Sequence, residues 1–181
     1  MRVIAGTARR LYLKTLEGEA VRPTTDRIKE TLFNIIQQDI PGCRFWDLFA
    51  GSGGIGIEAL SRGASHALFV DRDPKCIDII KDNLTHTKLI DNAEIKRGDA
   101  ASVLSHISGE GADIIFMDPP YGKSAYESVL SVISGNKALL SGTGYIIVEE
   151  NIEEDFSGIE SLGFHIIKEK YYKTNKHVFL E

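Results

Sequence analysis

Asp118-Pro119-Pro120-Tyr121 is the most specific chemical signal in the chain. Two consecutive prolines stiffen a loop and remove two backbone donors, which leaves its carbonyls free to point into a crevice. An amino group conjugated to a nucleic-acid base is a poor nucleophile, because its lone pair is delocalised into the ring. If the Asp118 carboxylate and the Pro119 carbonyl accept its two N–H bonds, the lone pair turns toward an electrophile, and the positive charge that develops is stabilised. Tyr121 can stack on a base rotated out of its helix or loop. Asp118, Pro119, Pro120 and Tyr121 are therefore the candidate catalytic group. Asp118 need not be a strong base, since a nitrogen that has just accepted a methyl group is acidic and can lose its proton late.

A second constellation runs from Asp47 to Gly56 and contains the spacing GxGxxG at Gly51, Gly53 and Gly56. Glycines there let the backbone turn tightly and approach a ligand at a helix amino terminus. Asp71 follows Gly51 by 20 residues, a spacing that suits hydrogen bonds from ribose hydroxyls. These features fit a dinucleotide equally well, and the acids around them separate the alternatives. A pyrophosphate would be repelled by the carboxylates of Asp47, Asp71, Asp99 and Asp118, whereas S-adenosylmethionine carries an ammonium and a sulfonium and tolerates them. Asp99 is placed to accept from the adenine amino group, although taken singly it could be only a helix cap. The cofactor-binding candidates are Asp47, Phe49, Ala50, Gly51, Gly53, Gly56, Asp71, Arg72, Asp99, Ala100 and Asp118, and the expected cofactor is S-adenosyl-L-methionine.

These residues need an alternating strand and helix series to bring them together. Ile28, Leu32, Ile35 and Ile36 give a helix with one apolar face that stops before Pro41-Gly42, with Thr25 or Asp26 available to cap it. Strands are expected at Phe45 to Phe49, Ala67 to Val70, near Ala93 to Lys96, Asp113 to Met117 and Gly144 to Val148. Helices are expected after each of the first four, with Asp73-Pro74 a strong helix start and Val103, Leu104 and Ile107 marking another. A short helix near Glu153 to Leu162 and two strands, Phe164 to Tyr171 and His177 to Leu180, complete the chain. The alternation predicts a parallel sheet with right-handed crossovers, so the acids converge at the carboxyl ends of its strands. The last two strands are too closely spaced for a crossover and should form an antiparallel hairpin at one edge. Val3 to Ile4 and Leu11 to Leu13, separated by Gly6 and Arg9-Arg10, read as a small ribbon appended to this core. One domain over residues 1–181 is expected, with residues 1–22 as ribbon and 23–181 as core.

Composition sets the outer limits. At 181 residues and 43% hydrophobic, the chain can bury one core but is short for two domains. No secretion signal or membrane-spanning run is visible, so a soluble cytoplasmic protein, monomeric by default, is expected. Cys43 and Cys76 form no CxxC pair and read as buried thiols, and the five histidines lack ligand spacing, so no metal is expected. The net charge of −5 is unevenly spread. Residues 1–30 hold seven Lys or Arg against four acids and residues 165–181 four Lys against two, while the intervening body holds ten against twenty. Basic segments at both ends suit a phosphate-contacting face. The candidate contacts to nucleic acid are Arg2, Arg9, Arg10, Lys14, Arg22, Arg27, Tyr121 and Lys173.

These motifs resemble the Rossmann-like class I methyltransferases over essentially the whole chain, and in particular the RsmD family of 16S ribosomal RNA guanine-N2 methyltransferases. The resemblance is carried by Arg22 to Arg27, followed by Glu30-Thr31-Leu32-Phe33-Asn34. It extends to Asp47 to Gly56 with Glu58-Ala59-Leu60-Ser61-Arg62-Gly63, and to Asp118 to Tyr121. It implies a seven-stranded sheet of order 3-2-1-4-5-7-6 and, as substrate, a guanine in small-subunit rRNA presented in an assembling particle. It also implies ribose and adenine positions at Asp71 and Asp99. Two departures fall in segments expected to touch RNA. Arg9-Arg10 stands where members usually carry a glycine beside the arginine, and Tyr172-Lys173-Thr174-Asn175 where they read tyrosine-glycine-x-threonine. DNA adenine-N6 or cytosine-N4 methyltransferases use similar loops but generally add a target-recognition region. Protein glutamine methyltransferases usually begin the tetrapeptide with asparagine. A silent RNA-binding assembly factor should show damage in the catalytic loop, and none is evident.

Overall fold

The computed structural model describes residues 1–16, 26–120 and 124–181. The expected roles of Arg22, of the Pro23-Thr24-Thr25 stretch and of Tyr121 lie outside the described residues. Seven strands form one sheet: β1 (Arg44–Asp47), β2 (His66–Asp71), β3 (Ala93–Arg97), β4 (Ala112–Met117), β5 (Leu140–Asn151), β6 (Ile166–Tyr171) and β7 (Asn175–Leu180). Their order is β3-β2-β1-β4-β5-β7-β6. The first five strands pair in parallel, while β7 runs antiparallel between β5 and β6. The parallel strands and closing hairpin are those the alternating pattern predicted, and the Rossmann-like order is the one the family resemblance implied.

The helices are α1 (Asp26–Ile35), α2 (Gly54–Ser61), α3 (Pro74–Thr87), α4 (Ala100–Leu104) and α5 (Ser124–Gly135). The apolar side chains of α1 to α3 join Phe45, Phe69, Phe116, Ile147 and Phe179 on one face of the sheet. Those of α4 and α5 join Trp46, Leu68, Met117, Val148 and Val178 on the other. Successive strand residues thus alternate between two cores, as the pleat requires. The Asp73-Pro74 start is realised, with the Asp73 side chain accepting the Lys75 N–H at 2.8 Å and proline opening the helix. Among the described residues no helix is long and apolar enough to cross a membrane.

Several boundaries differ from expectation. The first strand stops at Asp47, because the chain turns into the glycine loop two residues earlier than its apolar run suggests. β5 is 12 residues long, since its carboxyl half pairs with β7 as well as β4. α4 ends at Leu104, leaving Ile107 in the following turn. The expected helix from Glu153 to Leu162 is absent; only a 3-10 turn, Ile159–Leu162, forms there. The Asn151 side chain accepts the Glu153 N–H and the Asp155 side chain accepts the Ser157 N–H, local bonds that compete with helix.

The amino-terminal ribbon is the largest departure. A single antiparallel bridge, Arg2 to Tyr12, defines it, flanked by backbone bonds from Val3 to Leu11 and from Leu13 to Met1. Rather than hanging outside the fold, Val3, Ala8 and Leu13 are buried in the core beside α1 and α2. Gly6 passes so close to α2 that a Cβ there would lie 1.7 Å from the Ser61 carbonyl oxygen, and its φ of +82° suits glycine alone. The apolar pairs read as a ribbon are thus also its anchoring side.

Candidate active site

Strand register assembles the acids. Asp47 is opposite Phe69 on one side and Phe116 on the other. Asp71, the last residue of β2, therefore lies one pleat further along on the side of the sheet that carries α1 to α3, and Asp118 is the first residue past the end of β4. Between them the chain leaves β1 as the glycine loop and enters α2. The Ala50 N–H reaches the Val70 carbonyl at 3.0 Å, and Gly53 N–H turns back to the Ala50 carbonyl at 2.7 Å. The buried Asn83 of α3 donates to the Ser52 carbonyl at 2.9 Å. Gly51 has φ +54°, and a Cβ built on it meets nothing within 4 Å, so glycine leaves open space where the loop faces the crevice.

Asp71 organises this loop. One carboxylate oxygen accepts the Gly51 N–H at 2.8 Å and the other the Asp73 N–H at 2.9 Å. The Cys76 thiol is a further partner of this carboxylate, whose remaining acceptor direction suits a ribose hydroxyl. Asp47 is buried, with one oxygen accepting the Gly56 N–H at 3.0 Å. Burial pushes its carboxyl up to about 7; the Gly56 bond opposes the shift and the nearby Asp71 charge adds to it. A buried acid of this kind gains from a cation beside it.

The remaining candidates are less uniform. Asp99 caps α4 by accepting the Ser102 N–H at 3.0 Å and is otherwise exposed. The Gly98 N–H bonds the Asp71 carbonyl, which sets the end of β3 beside Asp71. Ala100 is buried, Phe49 half-buried against the second core and Arg72 exposed. At the end of β4, Asp118 is half-buried, Pro119 buried and Pro120 exposed. Cys43 and Cys76 are buried free thiols, each pushed up to about 12 by burial.

Of the basic candidates, Arg2, Arg9, Arg10 and Arg27 line one groove of about 830 Å³ between the ribbon and α1, together with Asp26 and Glu30. Lys14 lies outside it, paired with Asp82 at 2.7 Å, and Lys173 is exposed in the β6–β7 turn. Arg62 and Asn34 also line the groove and were missed by the sequence reading. Arg10 has φ +73°, a left-handed conformation that costs a non-glycine residue about 1 kcal/mol. Beneath the groove, Glu58 and Lys29 are both fully buried and pair at 3.3 Å. The same carboxylate accepts the Ile4 N–H at 2.8 Å, the Ala5 N–H at 3.0 Å and Arg62 Nε at 2.7 Å. A lone acid in the apolar run from Ile55 to Leu60 was the available signal for this network.

Comparisons with known proteins show the family and the fold. The sequence pattern of a family described as conserved hypothetical protein 95 matches residues 1–181. The chain is 40% identical to YlbH of Bacillus subtilis, over 99% of this chain and 98% of that protein. It is 35% identical to ribosomal RNA small subunit methyltransferase D of Escherichia coli, over 84% of this chain and 76% of that one. Among solved structures, yhhF of Escherichia coli, assigned as a methyltransferase, superposes with a TM-score of 0.87 at 30% identity. That match covers 99% of this chain and 96% of yhhF.

Proposed function

The chain belongs to the conserved hypothetical protein 95 family, the RsmD family of small-subunit rRNA methyltransferases, and on that premise we propose that it methylates the N2 amino group of a guanine in 16S rRNA. The observation that carries this reading is the pairing of β4 with β1 up to Phe116 and Asp47, so that Asp118 and Pro119 leave the sheet next to the strand that opens the glycine loop. S-adenosylmethionine, when bound, supplies an electrophilic methyl group carried on a sulfonium. The open face of Gly51, the buried acid Asp47 and the acceptor Asp71 fit a cationic adenosine derivative, with Asp99 and Ala100 on the adenine side. The Asp118 carboxylate and the Pro119 carbonyl accept the two amino hydrogens, fix the nitrogen lone pair and stabilise the charge that forms on it. Tyr121 stacks on the displaced base. The whole chain acts as a single, monomeric cytoplasmic domain, on rRNA or the assembling small subunit.

The deciding experiment is incubation with labelled S-adenosylmethionine and unmodified small-subunit particles, free rRNA or DNA, followed by nucleoside mass spectrometry. N2-methylguanosine in rRNA is the expected product, and methylated adenine or cytosine in its place would refute the assignment.

Two further results are expected. A cation bound beside Asp47 favours its ionised form, so cofactor binding releases a proton below about pH 7. Affinity should rise by up to about tenfold per pH unit toward pH 7 and level off above it. Without ligand the sign reverses: a raised carboxyl loses stability for the fold as pH climbs from about 4 to about 7. Titration calorimetry across this range measures the first and urea denaturation the second, each with Asp47→Asn as a pH-insensitive control; a flat wild-type binding profile excludes Asp47 as the cation's partner.

Reversing charge at Arg9 and Arg10 together should weaken RNA binding and reduce the salt slope of log affinity by about 1.4, the value for two lost single-strand phosphate contacts. Filter binding at several salt concentrations reads this, and an unchanged slope removes the ribbon tip from the interface.

A further inference from the structure

At the carboxyl end of β5, beside Asp118, lies a buried polar cluster that the sequence reading did not single out. Met117, the last residue of β4, pairs with Val148 of β5, so Asp118 leaves the sheet at the level of Glu149. Glu149 in turn pairs with His177 of β7. His177 is fully buried, with its ring edge against Phe116, two residues before Asp118. Its Nε2 meets one Glu149 oxygen at 2.9 Å, and its Nδ1 meets the Tyr172 hydroxyl at 3.0 Å. Asn175 Nδ2 donates to the other Glu149 oxygen at 2.5 Å. The carboxylate is thus fixed through both oxygens while 9% of its side chain stays exposed. Each oxygen keeps an unused acceptor direction.

We propose that Glu149 is a specificity-determining residue that accepts the N1–H of the target guanine, held in place by His177 and Asn175. This rests on the guanine-N2 reading given above. Guanine presents N1–H directly beside its 2-amino group, so a base whose amino hydrogens are bound at Asp118 and Pro119 sets its next donor toward a neighbouring acceptor. Adenine presents an unprotonated N1 beside its amino group, and a carboxylate there meets a lone pair instead of a proton. Acceptors at Asp118 and at Glu149 therefore match the donor-donor edge of guanine and reject the donor-acceptor edge of adenine. Tyr172, through His177 Nδ1, leaves Nε2 as the nitrogen that donates to Glu149.

The test uses small-subunit particles reconstituted with rRNA carrying 2-aminopurine at the target guanine. That base keeps the 2-amino group but has no N1–H. Wild-type enzyme should prefer guanine by roughly 10- to 100-fold in kcat/KM, the worth of one hydrogen bond to a charged group. Glu149→Gln, whose amide can donate to an unprotonated N1, should shrink or invert that preference, and this change separates the N1 contact from the missing O6. An equal fall on both bases, or equal use of both by wild type, would overturn the proposal. The wild-type comparison stands even if the variant does not fold. Absence of N2-methylguanosine from unsubstituted particles is a different outcome, the failure of the underlying function.

Discussion

Asp118→Ala is expected to lower methyl transfer by roughly 10³-fold or more while S-adenosylmethionine binds within a few-fold of wild type. The argument lies in what the loop retains. Asp47, Asp71 and the Gly51 turn are held by bonds that do not involve Asp118, so the cofactor crevice keeps its shape. The loss falls on the orientation of the amino nitrogen and on the charge it acquires. Single-turnover assays with saturating cofactor, alongside calorimetry of cofactor binding, separate the two. Full turnover in this variant would remove Asp118 from catalysis, and loss of cofactor binding would leave it only the cofactor role for which it is also a candidate.

The second large effect concerns stability. Glu58→Ala should destabilise the fold by about 3–5 kcal/mol, the cost of leaving a buried charge without its partner. Lys29 is fully buried and its ammonium is already lowered by burial, with Glu58 as the main opposing influence. Removing the carboxylate also strips the Ile4 and Ala5 N–H groups of their acceptor. The sign with pH follows. A lysine whose folded value is depressed regains stability as pH rises toward its unfolded value, so the deficit should narrow near pH 10. Urea denaturation at neutral and alkaline pH measures both quantities. A loss below about 1 kcal/mol would mean that the ribbon is seated without Glu58, by its apolar side chains and its bonds to Ser61 and Asn83.

What the sequence disclosed, and what it withheld, divides along range of interaction. The Asp73 cap, the glycine loop and the proline pair are local devices, readable because their partners lie within a few residues. The alternation of apolar runs gave five parallel strands, and resemblance to a family gave their order. Glu149, in contrast, owes its setting to His177 and Asn175 on a strand that reads only as part of a hairpin. Glu58 binds residues more than 50 positions away, which no periodicity reports. The failed helix after β5 has a related cause: Asn151 and Asp155 bond their own backbone, and helical spacing does not register that competition. The basic candidates were chosen by charge alone, so Lys14 was grouped with arginines from which the fold separates it.

The seating of the ribbon bears on the order in which the molecule is made. Lys14 is fixed through both backbone groups by Asn83, 69 residues further along the chain. On a translating ribosome the arginine-bearing segment emerges first, yet its docking surface on α2 and α3 does not exist until Asn83 has been synthesised and folded. Contacts so distant in sequence form late, after the loop they close has been ordered. The ribbon is therefore built before the surface that seats it and settles late, and its basic groove becomes complete only once α2 is in place to hold Ile4, Ala5 and Thr7.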